Sequence, residues 1–158
     1  MRVYIESTIP SYLVARPARD LLQAAHQQTS RDWWELKRWR HELFTSQVVL
    51  DEIGFGEPAM ARLRLETMAD IPLLPVNDES VELARNILSS GLLPATADRD
   101  ALHIALASVC NMDILLSWNC RHIANATIQT RLRRLTESTG FELPVICTPE
   151  EMMESDDE

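Results

Sequence analysis

Four positions in this chain carry oxygen donors where an apolar segment begins or stops, and their types suit the binding of a hard cation. The run Val3-Tyr4-Ile5 ends at Glu6, followed by the hydroxyls of Ser7 and Thr8. A second apolar run, Asp113-Ile-Leu-Leu-Ser-Trp118, ends at Asn119. Two further acids stand on helical segments. With successive residues about 100° apart around a helix, Val48, Val49, Leu50 and Ile53 define an apolar face. Glu52 falls on the edge of that face and Asp51 nearly opposite. Glu52 therefore leans inward. Asp98 and Asp100 open the most apolar helix of the chain, where the macrodipole favours an ionised carboxylate.

Glu6, Glu52 and Asp100 are thus expected to meet, with Asn119, at one edge of a sheet. Carboxylates pressed together repel, and burying each unpaired is costly. A divalent cation relieves both problems. Hard oxygen ligands without a His or Cys cluster point to Mg²⁺ or Mn²⁺ and not to Zn²⁺. Such a centre suits phosphodiester hydrolysis by a metal-activated water. Each residue also has a plainer reading. Asp98 fits a helix N-cap, and Asp100 can simply compensate the helix dipole. Glu52 can pair with an arginine, and Glu6 can be a solvated loop acid. Ser7 and Thr8 can cap a helix or hold metal ligands in place. His103 reads as a hydrogen-bonded core histidine. The four tryptophans read as packing, and Arg131, Arg133 and Arg134 as a solvated face.

The elements that must position these residues alternate along the chain. Strands are expected at residues 3–5, 43–44, 73–74, 113–118 and 145–147. Helices are expected from Thr8, over 21–40, from Gln47 after a Ser46 cap, and over 58–70, 80–89, 98–110 and 128–139. Strand–helix alternation with no tight hairpin predicts an α/β fold, a mostly parallel sheet with helices on both faces. In such sheets ligands bind beyond the carboxyl ends of the strands, where Glu6 and Asn119 lie.

The chain has 158 residues, of which 46% are hydrophobic, enough for a single core without disulfides or structural metals. Net charge is −9, concentrated in a tail over 150–158 that holds six acids and no base. That tail is expected to be a frayed, solvated end, leaving one domain over 1–149. The mildly acidic body lacks the basic footprint of a protein that grips a long duplex. Local cations could still invert the sign at one site. Cys110, Cys120 and Cys147 are odd in number and lack metal-site spacing, so free thiols are expected. With no secretory signal at the start and no apolar run of about 20 residues, the expectation is a soluble, cytoplasmic protein.

Four segments carry a resemblance. Val3-Tyr-Ile-Glu-Ser-Thr-Ile-Pro-Ser-Tyr12, Ser46-Gln-Val-Val-Leu-Asp-Glu52, Asp100-Ala-Leu-His-Ile-Ala-Leu-Ala107 and Leu115-Leu-Ser-Trp-Asn-Cys-Arg-His-Ile-Ala-Asn125 resemble, in order, the signature blocks of PIN-domain proteins, most of all the VapC-type toxins of bacterial toxin–antitoxin pairs. The resemblance spans residue 3 to about 149. It implies a three-layer α/β/α sandwich around a central mostly parallel sheet and an Mg²⁺- or Mn²⁺-dependent endoribonuclease. It also implies a homodimer, with a cognate antitoxin as partner. By position, Glu6 stands for the family's first acid (usually Asp), Glu52 for the second and Asp100 for the third. Asn119 stands where many members have a fourth acid. Both departures bear more on a second metal position than on the first. Arg121 and His122, with Ser7 and Thr8, are candidates for contact with the RNA substrate. Two other readings stay open: a catalytically weak or inactive PIN module that binds RNA or a partner protein, and a DNA-directed structure-specific nuclease.

Overall fold

A computed structural model describes residues 1–153 of the chain. Five short strands form one parallel sheet: β1 (Arg2–Ile5), β2 (Glu42–Ser46), β3 (Leu73–Leu74), β4 (Ile114–Leu116) and β5 (Val145–Cys147), in the order β3-β2-β1-β4-β5. β1 is the centre. Tyr4 pairs with Phe44 of β2 on one side and with Leu115 of β4 on the other. Val3, Tyr4 and Ile5 are all wholly buried, as a strand covered on both faces must be.

Seven α-helices connect and cover the strands: α1 (Thr8–Val14), α2 (Leu21–Asp32), α3 (Gln47–Ile53), α4 (Pro58–Thr67), α5 (Asp78–Ser89), α6 (Asp98–Val109) and α7 (Ala126–Ser138). The connections from β1 to β2 to β3 step one way across the sheet, and those from β3 through β4 to β5 step the other way. With right-handed crossovers the first four helices fall on one face and the last three on the opposite face. The packing agrees: α1 lies against α2 and α4, and α5 lies against α6 and α7. This is the expected three-layer α/β/α sandwich. α6 is its most deeply set helix, with Ala101 and every residue from His103 to Ser108 buried.

Several expectations need correction in detail. The helical stretch predicted over 21–40 is three segments: α2, a π-helical turn at Trp33–Lys37 and a 3₁₀ turn at Arg38–Arg40. In the π-helical turn Trp33 and Lys37 are buried and Trp34 packs against the core. Trp39 is not a packing residue. It is 73% exposed and carries the Arg38 guanidinium 3.8 Å from its ring centre. Asp98 does not cap α6; the N-cap position is Ala97, without a side-chain bond, and Asp98 is the first helical residue. Ser46 does cap α3, accepting from the Val49 amide. Of the acidic tail, Glu150–Met152 form a 3₁₀ turn in which Glu151 accepts from the Thr148 amide, and Met152 and Met153 pack against the core. The rest of it, 154–158, lies outside the described residues. All three cysteines are free. Among the described residues no helix is long and apolar enough to cross a membrane.

Candidate functional site

Strand order reverses around β1, so the crevice beyond the carboxyl ends of β1 and β4 is a topological switch point, where open α/β sheets bind ligands. Glu6 lies in it. Its amide extends the ladder to the Leu116 carbonyl at 3.2 Å, and its side chain is only 2% exposed. The carboxylate survives there because four donors satisfy it. Oε1 accepts from Ser7 Oγ at 2.7 Å. Oε2 accepts from the Thr8 amide at 3.1 Å, from Thr8 Oγ1 and from the buried Ser117 Oγ at 2.8 Å. Ser7 and Thr8 therefore spend their hydroxyls on Glu6 and not on capping α1. Thr8 Oγ1 also accepts the Trp118 amide, which ties β4 to the start of α1.

Glu52 reaches the same crevice from the last turn of α3. It is half-buried while Asp51 is exposed, as the helical geometry requires. Its Oε1 accepts from Nε2 of His103 on α6, and its Oε2 is 3.4 Å from Ser7 Oγ. One hydroxyl thus stands between the two acids. His103 is fully buried, and its Nδ1 is 2.8 Å from the Tyr4 hydroxyl, which is itself 2.7 Å from Ser46 Oγ. Burial opposes protonation of His103. The bond to Glu52 and the charges of Glu6, Glu52 and Asp100 outweigh it and raise the imidazole above its ordinary range. The Tyr4 phenol is pushed upward by burial, with the Ser46 bond opposing and the Glu6 and Glu52 charges adding to the shift.

Asp100, in the first turn of α6, forms a second group. Its Oδ1 accepts from Asn119 Nδ2 at 3.2 Å, and its Oδ2 is 2.8 Å from His122 Nδ1. Asn119 Oδ1 accepts the His122 amide, and the Asn119 amide donates to Ser117 Oγ. The two groups are therefore joined through Ser117, and Asp100 acts on His103 by charge. They are not one knot of oxygens. Single ligand atoms of Glu6, Glu52 and His103 lie within 4.8 Å of one another. Asp100 is not in that set, and the histidine is there instead. Arg121 is exposed on the loop after β4; its carbonyl accepts from Asn125.

Sequence reading placed His103 in the core and missed that it touches Glu52. The available signal was Asp100-x-x-His103: residues three apart share a helix face, so a histidine there follows an inward-facing acid. Tyr4 gave no signal beyond being a phenol in a strand buried on both sides, where its hydroxyl needs a partner. The donor set brought together is two carboxylates and an imidazole, with Glu52 Oε2 the least engaged oxygen, a set that could hold a divalent cation.

No family model matches the chain, and no curated protein matches it. Among solved structures, a chain of VapBC2 from Rickettsia felis, crystallised bound to a DNA fragment from their promoter, superposes with a TM-score of 0.62. The match covers 94% of this chain and 98% of that one. The fold, a PIN-like three-layer sandwich, is shared with that chain. At 14% identity the likeness is one of architecture. In the crevice at β1 and β4 Glu6 and Glu52 meet, and Asp100 with Asn119 forms the neighbouring group joined through Ser117.

Proposed function

We propose that this chain is a divalent-metal-dependent endoribonuclease that hydrolyses RNA phosphodiester bonds, and that it is the toxin of a toxin–antitoxin pair. The observation that carries the reading is the meeting of Glu6 and Glu52 across Ser7 at the switch point of a VapC-like PIN fold. Glu6, Glu52 and Asp100, with Asn119, would hold Mg²⁺ or Mn²⁺. When bound, such a cation supplies a water of lowered pKa and neutralises charge developing on the phosphate. The chain's own residues supply preorganisation. Ser117 and Thr8 fix Glu6, while Asn119 and His122 fix Asp100. Arg121 and His122, on the loop beside Asp100, are suited to contact the RNA phosphate. Ser7 and Thr8, whose hydroxyls bond to Glu6, are the other candidates for contact with substrate.

The solved neighbour is VapBC2 bound to promoter DNA, which supports a cognate antitoxin as the partner of this chain. A homodimer is proposed with it, in a cytoplasmic setting. The domain is proposed to span 1–149. Asp100→Asn and Glu52→Gln are expected to abolish RNA cleavage and divalent binding while leaving the circular-dichroism spectrum unchanged. Full cleavage by either variant, or by the wild type in excess chelator, refutes the reading.

A second reading has its own support. Glu6 is already satisfied by four donors, and both polar ends of the Asn119 side chain are engaged within the protein. A PIN module that binds RNA or a partner with little or no catalysis would look like this. A calorimetric titration with Mn²⁺ that gives no heat supports it over the nuclease.

A further inference from the structure

We propose that His103 is a positioning residue: braced by Tyr4, it occupies Oε1 of Glu52 and leaves Oε2 as the oxygen that would hold a divalent cation. The proposal rests on the metal-dependent reading above and deepens it. Glu52 keeps 20% of its side chain exposed, and a glutamate with three side-chain torsions loses much rotamer freedom when it is held in one pose. A bond from a rigid ring holds it. The ring is wholly buried and both nitrogens are engaged, Nδ1 with Tyr4 and Nε2 with Glu52. Tyr4 is fixed in turn, because it is buried in the central strand and its hydroxyl is bonded to Ser46. Ser46 caps α3, the helix that carries Glu52. The brace therefore closes a loop through β1, α6 and α3.

The two oxygens of Glu52 are left unequal. Oε1 is taken by the histidine. Oε2 has only a 3.4 Å approach from Ser7 Oγ, whose single proton is better placed for Glu6 Oε1 at 2.7 Å. Oε2 is thus the available ligand oxygen. The competing role for His103 is direct ligation, since its ring lies close to both acids. Ligation requires Nε2 to give up its bond to Glu52 and present a bare lone pair elsewhere. The buried ring, held at Nδ1 by Tyr4, resists that rotation. Outer residues that orient metal ligands are worth about 10–100-fold in metal affinity.

The test uses Mn²⁺ as probe on the full chain, with affinity from calorimetry and nitrogen coupling to bound Mn²⁺ from pulsed electron paramagnetic resonance. His103→Leu is expected to weaken Mn²⁺ binding about 10–100-fold. His103→Gln, which keeps a donor for Glu52, is expected to recover most of that loss. Tyr4→Phe, nearly isosteric, is expected to give an intermediate loss, and it carries the test if His103→Leu does not fold. Wild-type protein is expected to bind Mn²⁺ without the strong nitrogen coupling of a coordinated imidazole. Wild-type affinity in folded His103→Leu or Tyr4→Phe overturns the brace alone, and so does strong imidazole coupling in the wild type. Absence of Mn²⁺ binding by the wild type overturns the metal-dependent reading and the brace with it.

Discussion

A buried carboxylate is stable only as far as its donors hold it, and Glu6 shows how finely that is arranged. Three of its four donors are hydroxyls, from Ser7, Thr8 and Ser117. Ser117 matters most for the site as a whole, because its Oγ donates to Glu6 while accepting the Asn119 amide. Ser117→Ala removes a charge-assisted bond to Glu6 and leaves the part-buried Asn119 amide without its acceptor. The expected cost is about 2–3 kcal/mol in urea unfolding, with a loss of cleavage activity larger than the loss of folded protein explains. A variant as stable and active as the wild type contradicts the role given to Glu6. The Glu6 side chain is long enough to reach donors on Ser7, on Thr8 and on Ser117 just beyond β4.

At the scale of elements, the site is an assembly of ends. β1 and β4 end in it, α6 begins in it, and α3 brings Glu52 in its last turn. Helix α3 has only seven residues, so its cap governs its stability. The hydroxyl of Ser46 accepts the Val49 amide and also meets the Tyr4 phenol. Ser46→Ala should therefore affect folding and function together: about 1 kcal/mol of stability from the lost cap, plus weaker divalent binding through a loosened Tyr4. Thermal unfolding and Mn²⁺ calorimetry on one variant read both. A stability loss with unaltered Mn²⁺ affinity confines Ser46 to capping. The π-helical turn at Trp33–Lys37 is the element whose type the sequence concealed. Its residues show no local pattern that distinguishes it from a continuous helix.

At the scale of the whole molecule, the carboxylates of Glu6, Glu52 and Asp100 are held by hydrogen bonds within the protein, so on the proposed reading metal should act as a ligand and not as a structural staple. Chelator is expected to leave secondary structure intact while abolishing cleavage. Mn²⁺ at 100 times its Kd contributes roughly 2.7 kcal/mol to the folded state. For a domain of this size each kcal/mol shifts Tm by about 2–4 °C, so scanning calorimetry should register a rise of about 5–10 °C. Unfolding of the protein by chelator alone argues for a structural ion instead. On the proposed reading the mildly acidic body needs no broad basic face, since a loaded site and Arg121 would supply the attraction for a polyanionic substrate.

By itself the sequence determined the order of strands and helices, the parallel sheet, and the placing of Glu6 directly after β1, while Asn119 lies three residues beyond the end of a β4 shorter than expected. It also determined the inward lean of Glu52. These follow from local patterning: apolar runs, caps and helical periodicity act over a few residues. Only the tertiary structure decided which groups touch. Glu52 and His103 are 51 positions apart and Ser117 and Glu6 are 111 apart, so their contacts depend on strand register and on how α3 and α6 seat against β1. That seating put His103 beside Glu6 and Glu52 and set Asp100 with Asn119 and His122 in a neighbouring group. No spacing rule along the chain encodes such a division, because it is fixed by distances across the core.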